Sequence, residues 1–112
     1  MGGSFFEQLR LKVRSLLNDS PGCSWLQSQN YRTIANYTLE EAYELIDAID
    51  RMDKNAMLDE IADLCFHLII YTEMRSQGSQ ITLEEVAKQA LEKINQRGIS
   101  TVSYTHLRAH ET

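Results

Sequence analysis

The sequence predicts an all-α fold: a four-helix antiparallel bundle-like domain, completed by homo-oligomerisation. Two observations carry the helical part. Apolar residues recur at helical spacing in four segments, and none of the segments between them reads as a convincing strand. A third observation carries the association. One helix is apolar almost all round, and three short neighbours in a chain of this size cannot enclose it, so a homodimer or a dimer of dimers is expected to bury it.

The first helix runs from about Phe5 to Asn18, with Phe5, Phe6, Leu9, Val13, Leu16 and Leu17 on one side, and "NDSPG" breaks it. A polar connection follows, "CSWLQSQNYRT". The second helix spans the mid-30s to about Met52 and the third about Asn55 to Arg75. The short "RMDKN" between them implies an antiparallel hairpin. "SQGSQ" reads as a loop. Thr82 and Glu85 then form a capping box that opens a fourth helix, which runs to Arg97 with Gly98 at its C-terminal cap. Residues 1–100 are read as one domain. Val102 to Thr112 follow no helical or strand period and resemble a translated sequencing adapter, so residues 101–112 are expected to be a non-native read-through tail, and His106 and His110 are not read as ligands.

At 112 residues the chain can bury one core of modest size. Its hydrophobic fraction of 43% and charged fraction of 24% are those of an ordinary globular protein. No apolar run approaches the ~20 residues of a membrane span, and "MGGSFFEQLRLKVRSLL" lacks a cleavage-type end, so the expected location is the cytoplasm, with no membrane partner. Cys23 and Cys65 form no C-x-x-C pattern and read as reduced thiols.

The formal net charge is -5, yet residues 38–63 hold nine acids against Arg51 and Lys54. No basic patch interleaved with aromatics is present to neutralise phosphates, which argues against DNA or RNA. On the third helix Glu60, Asp63 and His67 share one narrow stripe, while Leu58, Ile61, Ala62, Leu64, Cys65, Leu68 and Ile69 fill most other directions. Such a helix is expected to be buried, with its acidic stripe facing something that compensates charge. On the second helix Ala42, Tyr43, Ile46 and Ile49 form the expected apolar face, with Tyr43 in the core. Glu41 and Glu44, one turn apart, border the packed side. Two i,i+3 carboxylate pairs are thus available, and oxygen-rich clusters suit a hard cation such as Mg²⁺. Spacing alone leaves other uses open. Glu41 could close a capping box with Thr38, Glu40 and Glu44 could form a solvated face, His67 could be a core or rim histidine, and Trp25 could be packing or a base-stacking platform.

Glu40-Glu41-x-x-Glu44, followed after fifteen residues by Glu60-x-x-Asp63, resembles the signature of the MazG-type all-α nucleoside triphosphate pyrophosphohydrolases. The likeness covers roughly Gly22 to Arg97: "YTLEEAYELIDAID" is similar to the family's "YLLEEAYEV" type of helix, and "GCSWLQSQ" to its "CPWDxxQT" segment through Cys23, Trp25 and Gln29. Ser24, Leu26 and Asn30 depart from that segment. The resemblance implies hydrolysis of a nucleoside triphosphate to the monophosphate and pyrophosphate, in a housecleaning role. It implies Mg²⁺, or Mn²⁺ in its stead, on Glu41, Glu44, Glu60 and Asp63, with Glu40 a nearby catalytic acid. Lys93 and Arg97 match the family's Lys-x-x-x-Arg pair and would act on the phosphates, and Trp25 would contact the substrate. Rival readings are a phosphoribosyl-ATP pyrophosphohydrolase and a catalytically silent, metal-stabilised helical dimerisation module.

Overall fold

The chain was analysed as a computed structural model that describes residues 3–75, 78 and 80–98. Ser4 accepts a hydrogen bond from the Glu7 amide at 3.1 Å and starts helix α1, Phe5–Asn18, the span that the periodicity predicts. Val13 and Leu17 are its buried residues, whereas Phe5 and Phe6 remain exposed, so the two aromatics of the predicted face stay out of the core. The chain then folds back on the end of α1. Cys23 donates its amide to the Leu16 carbonyl at 2.8 Å, and Gln27 Nε2 donates to the carbonyls of Leu16 and Asp19 at 3.1 and 2.9 Å. This reversal needs Gly22 at φ 57°, where a Cβ would fall 2.4 Å from the Asp19 carbonyl oxygen.

The connection expected to be irregular contains a short helix, α2, Ser24–Gln27, so the described residues form five helices rather than four, and no strand. Four residues are too few to show a period. Helix α3, Tyr31–Asp50, begins before the mid-30s because Asn30 and Thr33 form a reciprocal capping box, with the Thr33 amide 2.9 Å from Asn30 Oδ1 and the Asn30 amide 3.0 Å from Thr33 Oγ1. Thr38 therefore lies inside the helix, and the cap weighed for Glu41 with Thr38 does not form.

A tight turn ends α3. The Asp53 amide bonds the Ala48 carbonyl and the Met52 amide the Ile49 carbonyl, both at 3.0 Å, with Met52 left-handed at φ 55°, the paired pattern of a Schellman cap. Asp53 then caps helix α4, Lys54–Glu73, through the Ala56 amide at 3.0 Å. The hairpin predicted from "RMDKN" is thus built from two caps that share a three-residue turn.

Residues up to Gln80 form one compact unit. Its core joins Val13, Leu17, Leu26, Ile34, Ile69, Ile70 and Met74. The face that α3 turns to α4 is not the expected one. Tyr43 is 65% exposed, and Ile46 and Ile49 are exposed with it, so Tyr43 is not a core residue. The buried residues of α3 are Ile34 and Ala48, and the face they define, which includes Thr38, Glu41 and Leu45, lies more than a quarter-turn away. The all-round burial expected of α4 is also not found within one chain. His67, Ile69, Ile70, Thr72 and Glu73 are buried, but Leu58, Ile61 and Leu68 are exposed. Within the first unit α1 and α3 pack against α4.

The second unit starts at Ile81. Thr82 and Glu85 make the predicted capping box at the start of helix α5, Leu83–Gln96, with both reciprocal bonds present. Gly98, at φ 68°, donates its amide to the Asn95 carbonyl at 3.1 Å. Residues 101–112, read as a tail, lie outside the described residues. Among the described residues no helix is long and apolar enough to cross a membrane.

Candidate functional site

The hairpin register decides which side chains of α3 and α4 meet. Glu41 lies nine residues before Asp50, the last residue of α3, and Asp63 nine residues after Lys54, the first of α4. At about 1.5 Å per residue both stand about 13 Å from the turn, so antiparallel packing sets them at one height. Glu60, one turn before Asp63, shares its stripe. The outcome is a cluster in which carboxylate oxygens of Glu41, Glu60 and Asp63 all lie within 4.8 Å of one another.

Two oxygens in the cluster, Glu41 Oε2 and Glu60 Oε1, are buried and have no hydrogen-bond partner. The close approach of the Glu60 carboxyl is the largest influence on Glu41, followed by burial, then by the proximity and charge of Asp63, and by repulsion from Glu44. Together they push its carboxyl up to about 8. Among the described residues no lysine or arginine forms an ion pair with these three acids. Half-buried carboxylates crowded together without a counter-charge destabilise the fold. A three-carboxylate, oxygen-only donor set with orphaned buried oxygens fits a hard divalent cation such as Mg²⁺, whose remaining positions water or phosphate oxygens would fill.

The other predicted residues fall elsewhere. Glu44 is exposed one turn beyond Glu41; it contributes negative charge to the cluster without joining the three converging groups. Glu40 is exposed on α3. Lys93, in the last turn of α5, and Arg97, its C-terminal cap, are exposed and belong to the second unit. Trp25 is half exposed on α2 and meets Tyr37 edge-on, with ring centroids 5.6 Å apart and planes inclined by 67°. Tyr37 lies one turn before Glu41 on α3, so this aromatic pair flanks the same helix face as the cluster.

Behind the carboxylates lies a polar group that the sequence reading did not single out. Thr38 Oγ1 is 3.1 Å from His67 Nδ1, 2.7 Å from Tyr71 Oη and 3.1 Å from the Ile34 carbonyl. His67 is therefore the satisfied, buried histidine that was one of its two readings, and burial lowers its pKa against an opposing pull from Asp63. The signal was present in the register, since Thr38 pairs with His67, and Ile34 with Tyr71, at successive heights of the same hairpin.

Comparison with known proteins gives the same picture from another direction. The profile of the MazG nucleotide pyrophosphohydrolase domain matches residues 29–100. A nucleoside triphosphate pyrophosphohydrolase of Escherichia coli (strain K12) is 32% identical over 91 residues, which cover 81% of this chain and 35% of that protein. The nucleoside triphosphate pyrophosphohydrolase/pyrophosphatase MazG of Thermotoga maritima is 30% identical over 95 residues, 85% of this chain and 37% of that protein. YabN of Bacillus subtilis, an uncharacterised protein, is 29% identical over 92 residues, 82% and 19% respectively. The chain thus spans about a third or less of the length of these relatives.

Proposed function

The chain belongs to the MazG nucleotide pyrophosphohydrolase domain family, and we propose that it hydrolyses nucleoside triphosphates to the monophosphate and pyrophosphate with Mg²⁺ bound at the α3–α4 carboxylates, as a cytoplasmic housecleaning enzyme. The observation that carries this reading is the convergence of Glu41, Glu60 and Asp63 with buried oxygens and no protein donor. Glu41, Glu60 and Asp63 would hold the cation, with Glu44 completing the set directly or through water. Mn²⁺ is the natural substitute.

When bound, the cation supplies charge neutralisation for the triphosphate. The residues of the chain do the rest. Glu40, exposed beside the cluster, orients the attacking water and takes up its proton. Oxygen of that water bonds to the α-phosphorus as the bridging oxygen towards the β-phosphorus leaves with its electron pair, so that pyrophosphate departs in line. Lys93 and Arg97 would offset phosphate charge, and Trp25, backed by Tyr37, would receive the base.

Association of copies belongs to the same proposal. Tyr43 and Ile46 on α3, and Leu58, Ile61 and Leu68 on α4, are exposed large apolar side chains that a second copy would cover. A homodimer or dimer of dimers burying these faces would complete the bundle. The functional domain is residues 1–100, and residues 101–112 are dispensable. The deciding experiment is a panel of nucleoside triphosphates and phosphoribosyl-ATP, assayed with Mg²⁺ and Mn²⁺ for pyrophosphate against phosphate release. Pyrophosphate from several triphosphates supports the reading. Turnover of phosphoribosyl-ATP alone would reassign the substrate, and no turnover by a metal-binding dimer would leave an interaction module.

A further inference from the structure

The Thr38 hydroxyl has one proton and two lone pairs, and it makes three contacts. The Ile34 carbonyl can only accept, so the 3.1 Å contact to it takes the Thr38 proton. Two lone pairs then remain for Tyr71 Oη at 2.7 Å and His67 Nδ1 at 3.1 Å, and both of those groups must donate. His67 can donate from Nδ1 only if that nitrogen carries its hydrogen. The opposite assignment, with Thr38 donating to an unprotonated Nδ1, sets two acceptor oxygens 3.1 Å apart at Ile34. It also puts the hydrogen on Nε2, although no hydrogen bond joins His67 to Asp63 among the described residues. Burial favours the neutral ring, which excludes a doubly protonated imidazolium at neutral pH.

We propose that Thr38 is a positioning residue for the carboxylate site, fixing His67 as the neutral Nδ1–H tautomer so that its Nε2 presents a lone pair and no proton. The proposal rests on the cluster being the cation site described above and deepens it. His67 is one turn beyond Asp63 on the same stripe of α4, and the charge of Asp63 acts on its imidazole. A histidine free to carry hydrogen on Nε2 could turn it towards Asp63 and offset part of the charge meant for a cation. Thr38 removes that option: the hydrogen is committed to α3, and Nε2 can only accept, for instance from a cation-bound water. Two of these bonds, to His67 and Tyr71, tie α3 to α4 one turn behind Glu41, which keeps Glu41 opposite Glu60 and Asp63.

The test is long-range ¹H–¹⁵N NMR of the imidazole nitrogens in metal-free protein at neutral pH, with His67 assigned by loss of its signals in His67→Gln. The expected pattern has protonated Nδ1 and unprotonated Nε2. An Nε2–H pattern in wild type would overturn the proposal, whether or not the protein is an enzyme. Thr38→Val, which keeps shape and removes both functions of the hydroxyl, should shift His67 towards the Nε2–H form and weaken Mn²⁺ binding by about tenfold or more, in the range known for groups that orient metal ligands. Thr38→Ser should restore both. Thr38→Val with wild-type tautomer and wild-type Mn²⁺ affinity would also overturn it. Failure of wild type to bind Mn²⁺ at all would instead overturn the cation site, since the tautomer is read without metal.

Discussion

Helix α4 carries a buried carboxylate, Glu73, and a half-buried carboxylate cluster, and their surroundings are opposite. Near its C-terminus Glu73 is only 3% exposed, and Arg14 Nε donates to Glu73 Oε1 at 2.8 Å while Arg10 Nη1 lies 3.4 Å from Oε2. Asn18 Nδ2 adds a bond to the Glu73 carbonyl at 3.2 Å. Near the middle of the helix, Glu60 and Asp63 meet only another acid, Glu41. The first site is closed by the chain itself and needs nothing from outside. In the second the neighbouring acids Glu60, Asp63 and Glu44 make the charge of Glu41 harder to bear. The sign of the partners separates the two sites.

The largest expected difference between the sites is in catalysis. Glu60→Gln should reduce pyrophosphate release by more than about 100-fold, because groups that only orient a metal ligand already account for about 10–100-fold. Glu73→Gln should leave kcat and KM near wild type. Comparable kinetic losses in both variants would erase the distinction. Next comes metal linkage. Mg²⁺ at ~100 times its dissociation constant should stabilise wild type by about 2.7 kcal/mol, and Glu60→Gln by much less, in thermal melts at matched ionic strength. Equal shifts would reduce the cluster to a screened acidic face.

Stability without metal should reverse the ranking. Glu73→Gln removes the partner of two guanidinium groups and should destabilise by about 2 kcal/mol in urea melts. That is below the ~3–5 kcal/mol of a fully buried pair, because both arginines reach water. Glu60→Gln relieves repulsion and should leave the metal-free protein at least as stable as wild type. A further expected effect is in pH. The folded Glu41 carboxyl is raised from 4.5 to about 8, so between these values the folded state binds more protons than the unfolded one. Stability from this group is full below pH ~4.5 and is lost as pH rises through about 8. Metal-free wild type should therefore melt lower at pH 8 than at pH 5, and Glu41→Gln should flatten that trend. A rising melting point over the same range would contradict the crowding of the acids.

Much of this was legible in the sequence where the signal is local. α1 ends where its apolar period ends, and Thr82 with Glu85 announces α5, because a cap is written in four consecutive residues. Glu41, Glu44, Glu60 and Asp63 read as one set in the sequence, of which Glu41, Glu60 and Asp63 converge; which of them meet depends on the height of two helices about a turn whose caps had to be seen. Tyr43 was misread because hydrophobicity marks a surface that avoids water without saying whether the same chain or another covers it. Thr38 looked like a cap since the true start of α3 depends on Asn30, whose box closes on Thr33 rather than on the Glu or Gln of the usual pattern. Glu73 was passed over as one acid at a helix end. Its partners are 59 and 63 residues away, a distance no local pattern spans.

That separation in sequence has a kinetic consequence. The Schellman turn at Met52 lets the whole carboxylate site form within one hairpin, whereas the clasp on Glu73 must wait for the N-terminal helix to find α4. Contacts close in sequence form early, since the loop they close is short. The repelling acids thus sit in the part of the chain that organises first, and the guanidinium clasp closes afterwards. Divalent cations should accordingly speed refolding as well as slow unfolding, while loss of the clasp should register mainly in the unfolding rate.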